Sequence, residues 1–212
     1  MLCTPQALMA IAGASLPRRQ ADLLSPLFNT ICPKWGINTR DRFEEFISTL
    51  MEESARLTVL SENMYYRADR ILEIFPSVVK TRAQANSLAM NPRKLAETVY
   101  GTGQKAKDLG NLSREDGWNM RGAGPIQCTG RGIIARYAKR IGKTPEQAAE
   151  LMRTSWEWGI DSACWVFAVE KGLLDEADRD DFETITRRVA GRLTNWEQRK
   201  VFLHRALKYL PR

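Results

Sequence analysis

Apolar side chains recur at helical spacing along most of the chain. The stretches TRDRFEEFISTLMEESARL, ADRDDFETITRRVAGRL and NWEQRKVFLHRALKYL place them three or four residues apart, which is typical of amphipathic helices. Thr4 followed by Pro5 predicts a helix start near the N-terminus, and Thr81 with Gln84 has the spacing of a capping box. The pattern predicts about eight helices, a mainly α fold and minimal β structure.

Residues 101–132 break this pattern. The segment contains eight of the fourteen glycines and little periodicity. Long irregular segments inside compact helical domains are usually functional or mobile, and glycine lets another backbone or a ligand approach closely. We therefore predict that a rigid substrate lies against RGAGPIQCTGRG. A mobile surface loop without a special role is the alternative.

The length of 212 residues is enough for one domain. We predict a single domain over residues 1–212, with a small helical lobe inserted at about residues 67–100. No apolar run approaches the roughly 20 residues that span a bilayer, so stable membrane insertion is not expected. No basic residue precedes Arg18, which argues against a secretion signal and favours a cytoplasmic start.

The cysteine and histidine content and the net charge limit which metal sites and partners are expected. Widely spaced cysteines and one histidine predict buried, reduced thiols and no metal site. A net charge of +7 favours an anionic partner, which could be nucleic acid, an acidic membrane surface or a cell-wall glycan. The residues concerned are Cys3, Cys32, Cys128, Cys164 and His204.

Two neighbouring glutamates are predicted to differ in environment. Glu53 lies on the apolar stripe of a helix predicted around residues 41–57. Burial penalises the charged form of a carboxyl group, which suits a general acid, although an ion pair with a lysine or arginine is the alternative. Glu52 is turned about 100° away, towards Glu45 and Thr49, and is predicted to be solvated. The stripe is formed by Phe46, Leu50 and Leu57.

A third glutamate, Glu62, follows nine residues after Glu53. On one continuous helix this spacing would separate them by about 13.5 Å. The β-branched residues of LTVLS, however, predict that the helix ends near Leu57. A chain that turns back there could bring the two carboxyl groups across a cleft, at the roughly 6.5 to 9.5 Å of inverting glycoside hydrolysis.

The stretches FISTLMEESARLTVLSENMYY and EDGWNMRGAGPIQCTGR together resemble glycoside hydrolase family 19, the chitinase-like family, and in particular its bacteriophage endolysins. The resemblance runs from about Phe43 to Arg199 and includes IDSACWVFAVEKGL and ITRRVAGRLTNWEQR. It implies a lysozyme-like or chitinase-like helical fold with two lobes around a glycan cleft. It also implies catalysis without a metal or an organic cofactor.

The resemblance assigns roles residue by residue. Glu53 matches the general acid and Glu62 the base, while Thr129 matches a hydroxyl residue that holds the attacking water with the base. Gln127 and Arg121 match substrate-binding positions. Two further residues, Arg188 and Arg199, are similar to family arginines near the acid.

Aromatic residues near these motifs have two interpretations. Trp118, Tyr66 and Tyr65 could stack on sugar rings, but packing in the core is an equally good expectation for any one of them. The tryptophans at helical spacing in SWEWGIDSACW are predicted to lie mainly in the core. They are Trp156, Trp158 and Trp165.

The chain departs from the family pattern at several sugar-binding positions. Glu52 replaces the usual histidine before the acid, Met120 a tyrosine, Ala123 an arginine and Ala190 an asparagine. RGIIARY also lacks the expected Asn-Tyr pair. These replacements remove hydrogen-bonding groups expected at sugar subsites, while the positions of the acid, the base and the water-holding hydroxyl are retained.

These observations favour a single catalytic domain of a monomeric endolysin. It would hydrolyse the β-1,4 bonds of bacterial peptidoglycan with inversion and lyse the host cell. It would remain in the host cytoplasm until a separate membrane-permeabilising factor gives it access to the wall. A chitinase and a non-catalytic glycan-binding module are the alternatives. A nucleic-acid-binding module is disfavoured, because the basic residues are mixed with 25 acidic ones instead of forming a stripe.

Overall fold

The computed structural model describes residues 1–13 and 15–211, and it confirms a mainly α fold. Within these ranges, strand pairing is limited to two isolated bridges, Ser61 with Ala123 and Ala123 with Cys128. No helix among the same residues combines the length and the apolar character needed to cross a membrane.

Fourteen α-helical segments occur in the described part of the chain. They are α1 (Pro5–Ala12), α2 (Arg18–Ile31), α3 (Arg40–Glu53), α4 (Ala68–Ile74), α5 (Arg82–Leu88), α6 (Pro92–Val99), α7 (Gly103–Asp108), α8 (Asp116–Asn119), α9 (Arg131–Ile141), α10 (Pro145–Thr154), α11 (Trp156–Trp165), α12 (Leu174–Ala177), α13 (Phe182–Ala190) and α14 (Trp196–Tyr209). A 3₁₀ turn follows α2 at Cys32–Trp35, and a π-helical turn follows α11 at Val166–Glu170.

The chain divides into two compact units. The first unit comprises residues 1–60, 124–126 and 152–212, and the second comprises residues 61–123 and 127–151. The segment 67–100 is helical, as expected, and supplies α4, α5 and α6 of the second unit. The single catalytic domain with an inserted lobe stays a prediction.

The helix starts follow from local chemistry. The Thr4 hydroxyl accepts a hydrogen bond from the Ala7 amide at 3.1 Å, and Pro5 occupies the first helical position. Thr81 and Gln84 form the predicted capping box of α5. Each cap satisfies amides that have no partner inside the helix.

In the first unit, α3 packs against α12, α13 and α14. Phe28, Phe43, Phe46 and Phe167 form its aromatic core, with ring centroids 5.3 to 6.4 Å apart. The four cysteines are buried, as predicted, and the sulfurs of Cys32 and Cys164 lie 3.6 Å apart. Of the three tryptophans predicted in the core, only Trp165 is fully buried, and the other two are half-buried.

The prediction for the end of α3 was wrong. The helix ends at Glu53 instead of near Leu57, because Ala55, Arg56 and Leu57 all adopt positive φ angles, between 47° and 62°. The Ser54 hydroxyl stabilises this turn by accepting a hydrogen bond from the Leu57 amide at 2.9 Å. The turn redirects the chain directly after Glu53.

The side of α3 predicted to be solvated is in fact buried. Glu45 is only 2% exposed and Thr49 is fully buried. Asp180 and Asp181 precede α13 and lie near Glu45, and their negative charges help to raise its pKa. Packing of α12 and α13 on α3 therefore covers this side, whereas Glu52, near the helix end, stays half-exposed.

In the second unit, α4, α5 and α6 surround one apolar cluster that includes Ile71, Leu88, Leu95 and Val99. The short helix α8 packs directly on α6. Gly117 makes this contact possible, because a Cβ atom at this position would lie 2.5 Å from the Ala96 carbonyl oxygen and 2.8 Å from Glu97 Cα.

We expect Gly117→Ala to lower the free energy of unfolding of the protein by about 3 kcal/mol, since backbone atoms must move apart to admit the methyl group. Urea denaturation followed by circular dichroism measures this loss. Gly103→Ala is the matched control, because Gly103 has open space and only a positive φ of 67°. It should cost about 1 kcal/mol. Equal losses in the two variants would contradict the close-contact explanation.

Candidate active site

Glu53 is the last residue of α3 and forms an ion pair with Arg199 of α14. Arg199 Nη2 donates to Glu53 Oε1 at 2.5 Å, and Nε donates to the Thr194 carbonyl at 3.0 Å. The Arg199 side chain is 3% exposed. The ion pair that the sequence left open as an alternative is thus present, and it fixes the orientation of the Glu53 carboxylate.

Glu52 has a different partner from its neighbour. Asn195, which adopts a positive φ of 53°, donates its amide to Glu52 Oε1 at 2.6 Å. The two adjacent carboxylates therefore have different partners, but both are half-exposed, so the predicted contrast between a desolvated Glu53 and a solvated Glu52 is absent.

Arg188 does not share the contact that Arg199 makes. Its Nη1 donates to Glu176 Oε1 at 2.6 Å, and its Nη2 donates to the Lys171 carbonyl. These contacts tie α13 to α12 and the turn before it. Of the two arginines expected near the acid, the structure pairs only Arg199 with Glu53.

Glu62 is held by one hydrogen-bond donor on each carboxylate oxygen. The Tyr100 hydroxyl donates to Oε1 at 2.7 Å, and the Gly122 amide donates to Oε2 at 3.0 Å. The Glu62 amide also donates to the Gly122 carbonyl at 3.0 Å. Burial and the nearby Glu62 charge raise the pKa of Tyr100, so its phenol stays protonated and remains a donor.

Gly122 also brings Gln127 towards Glu62. A Cβ atom on Gly122 would lie 2.5 Å from Gln127 Oε1 and 2.9 Å from Glu62 Cβ, so only glycine fits between them. Gln127 adopts a positive φ of 54°, a backbone conformation often found at functional sites. The Thr129 hydroxyl donates to the Gln127 carbonyl at 3.1 Å.

The glycine-rich segment is tied down inside the second unit. Asp116 is buried and accepts from Arg131 Nη2 at 2.6 Å and from Nε at 2.7 Å. This hydrogen bonding lowers the pKa of Asp116. Asn111 connects the segment to α6 by donating to the Tyr100 carbonyl at 2.9 Å. These contacts argue against a mobile loop, whereas the predicted role in substrate binding stays a prediction.

The predicted stacking residues also pack within the second unit. Arg121 lies over the Trp118 ring, with its guanidinium carbon 3.7 Å from the centroid. It therefore covers one of the two ring faces on which a sugar could stack. Tyr66 meets Phe75 edge to face at 6.0 Å, and burial raises the pKa of its hydroxyl. Tyr65 is exposed.

The structure thus pairs Glu53 with Arg199 in the first unit, and in the second unit it places Glu62 and Gln127 both against Gly122. The separation of the two carboxyl groups stays a prediction, and so do the assigned roles. Among the residues that the structure describes, no group of three or more His, Cys, Asp or Glu side chains is arranged to hold a metal ion. No sequence motif pointed to Tyr100, which lies 38 positions from its partner Glu62.

Comparison with known proteins supports a glycoside hydrolase at the general level. No family model matches the chain. A protein of Haemophilus influenzae named "Glycosyl hydrolase family 19 domain-containing protein" is 28% identical over 166 residues, which cover 76% of this chain and 76% of the relative. This distant similarity agrees with the motif resemblance and supports glycosyl hydrolase family 19 at the general level.

Proposed function

We propose that the protein is an endolysin that hydrolyses β-1,4 glycosidic bonds of bacterial peptidoglycan. The observation that carries the proposal is the double hydrogen bonding of Glu62, which orients a carboxylate beside Gly122. The motif resemblance and the glycosyl hydrolase relative support the reaction class. The bacteriophage branch of the family rests on the motifs alone.

In the proposed mechanism, Glu53 first takes up a proton from solvent on the carboxyl oxygen that does not accept from Arg199. It passes this proton to the leaving glycosidic oxygen while Glu62 accepts a proton from the attacking water. Thr129 helps to hold this water by accepting a hydrogen bond from it, since the hydroxyl's own proton is donated to the Gln127 carbonyl. Attack from the face opposite the leaving group inverts the anomeric centre. The proton lost by Glu53 is matched by the proton gained by Glu62, and water restores both afterwards.

Arg199 has a positioning role in this scheme, because its buried guanidinium holds the Glu53 carboxylate. Gln127 and Arg121 would bind sugar hydroxyl and acetamido groups, as the resemblance implies. Arg188 would support the fold near α12 instead of contacting the acid.

Charge supports an acidic polymer as the partner. The second unit contains 15 Lys and Arg against 9 Asp and Glu, whereas the first contains 17 against 16. Nearly all of the excess positive charge therefore lies in the unit that carries Glu62. Attraction to an anionic wall should weaken as salt rises. We further propose a monomer that acts without cofactor and reaches the wall through a separate membrane-permeabilising factor.

The test uses outer-membrane-stripped cell walls, insoluble chitin, and the wild-type and Glu62→Gln proteins. We expect only the wild type to clear walls. Reduction of the released fragments with borodeuteride followed by mass spectrometry should show labelled sugar ends, whose identity names the bond cut. Proton NMR early in the reaction should show the inverted anomer.

Three results would redirect the proposal. Cleavage of chitin with intact walls would indicate a chitinase. Wall binding without new reducing ends would indicate a glycan-binding module. Full clearing by Glu62→Gln would show that the base lies elsewhere.

A further inference from the structure

Tyr100 is distant from Glu62 in sequence but contacts it within the second unit. It directly follows α6, it is 8% exposed, and its hydroxyl lies 2.7 Å from Glu62 Oε1. We propose that Tyr100 is a positioning residue for the reaction, which fixes the rotation of the Glu62 carboxylate so that one oxygen faces the attacking water. This inference rests on the proposed function of Glu62 as the base.

The fold holds the Tyr100 phenol rigidly. Its backbone amide donates to the Ala96 carbonyl at 2.8 Å, and its carbonyl accepts from Asn111 at 2.9 Å. Its ring meets Phe75 edge to face at 6.5 Å and belongs to the apolar cluster of the second unit. The hydroxyl position is therefore set by the core, independently of any substrate.

Two donors from separate elements restrict the carboxylate more than one would. The χ3 torsion of glutamate is broad, so an unrestrained carboxylate samples many rotations. Tyr100 anchors Oε1 and the Gly122 amide anchors Oε2, which together define the plane of the group. Orienting a proton acceptor before the substrate binds lowers the entropic cost of reaching the transition state.

The test is Tyr100→Phe, assayed on soluble peptidoglycan glycan oligomers. Phenylalanine keeps the ring in the core and removes only the donor. We expect kcat to fall about 10- to 100-fold, which corresponds to one hydrogen bond to a charged group, while KM changes less than about twofold.

Two control variants separate positioning from a general loss of structure. Val99→Ala weakens the same apolar cluster, so it should lower the melting temperature while the folded protein keeps its kcat. Tyr209→Phe removes a hydroxyl from an exposed tyrosine of α14 and should change neither quantity.

The outcomes distinguish this inference from the proposed function. Full activity of Glu62→Gln would remove the proposed base, and with it any role for Tyr100 as its positioning residue. If Glu62→Gln is inactive but Tyr100→Phe keeps the wild-type kcat, or changes it no more than Val99→Ala does, the positioning role is overturned and the base assignment stands.

Discussion

Glu53→Gln should lower the rate of wall hydrolysis by at least about 100-fold, because glutamine cannot protonate the leaving oxygen and general acid catalysis typically contributes this much or more. Glu52→Gln should stay within about threefold of the wild-type rate. Its amide oxygen can still accept the hydrogen bond from Asn195 that Glu52 accepts at 2.6 Å. The two variants change the same functional group at adjacent positions, so their comparison isolates the acid.

Stability must be measured beside activity. Arg199 is buried and pairs with Glu53, so removing the negative charge leaves a guanidinium with a neutral partner and should lower the melting temperature. Initial rates are therefore measured well below that temperature, with the folded fraction followed by circular dichroism. A large loss in Glu52→Gln, or near-normal rates in Glu53→Gln, would mean that the sequence argument chose the wrong glutamate.

Much of the helical framework could be predicted because its signals are local. Helix α13 has clear amphipathic periodicity, and α5 has a capping box whose two partners are three residues apart. The predicted number of helices was too low because segments such as α8 and α12 have only four residues each. One turn is too short to display a helical period.

The burial of α3 could not be predicted from its own pattern. Glu45 and Thr49 read as a polar face, but α12 and α13 cover them from more than 100 positions further along the chain. The end of the helix at Glu53 likewise depends on three successive positive φ angles, which the non-glycine residues Ala55, Arg56 and Leu57 do not predict.

In the candidate site, too, local motifs were predictable from the sequence and contacts between distant residues were not. Family motifs select Glu53 and Glu62, but the groups that orient them are distant in sequence. Arg199 lies 146 positions from Glu53, and Gly122 lies 60 positions from Glu62. The resemblance included Arg199 and did not include Tyr100. From sequence alone, a tyrosine next to a helix end is expected to pack in the core. Only the structure shows that its hydroxyl donates to a carboxylate.

Glu45→Gln should stabilise the protein in alkaline solution relative to the wild type. Glu45 is almost completely buried, and its Oε2 has no hydrogen-bond partner among the described residues. Burial, followed by nearby negative charges, raises the pKa of Glu45 from 4.5 to about 8. The charges are those of Asp180, Glu44, Asp181 and Asp41.

The direction of the pH effect follows from which state releases its proton first. Between pH 4.5 and pH 8 the unfolded chain loses the Glu45 proton while the folded protein keeps it, so stability falls as pH rises through this range. Above pH 8 the accumulated loss is roughly 3 to 5 kcal/mol, at about 1.4 kcal/mol for each pH unit between the two pKa values. Glutamine carries no proton to lose, so the variant escapes this penalty.

Urea denaturation of wild type and Glu45→Gln at pH 5 and pH 9 measures the effect. The variant should gain about 3 kcal/mol or more on the wild type between the two pH values. Glu197→Gln is the matched control, because Glu197 is exposed on α14 and its substitution should shift stability equally at both pH values. If both variants follow the pH dependence of the wild type, Glu45 is ionised in the folded protein, and the packing of α12 and α13 on α3 must admit solvent.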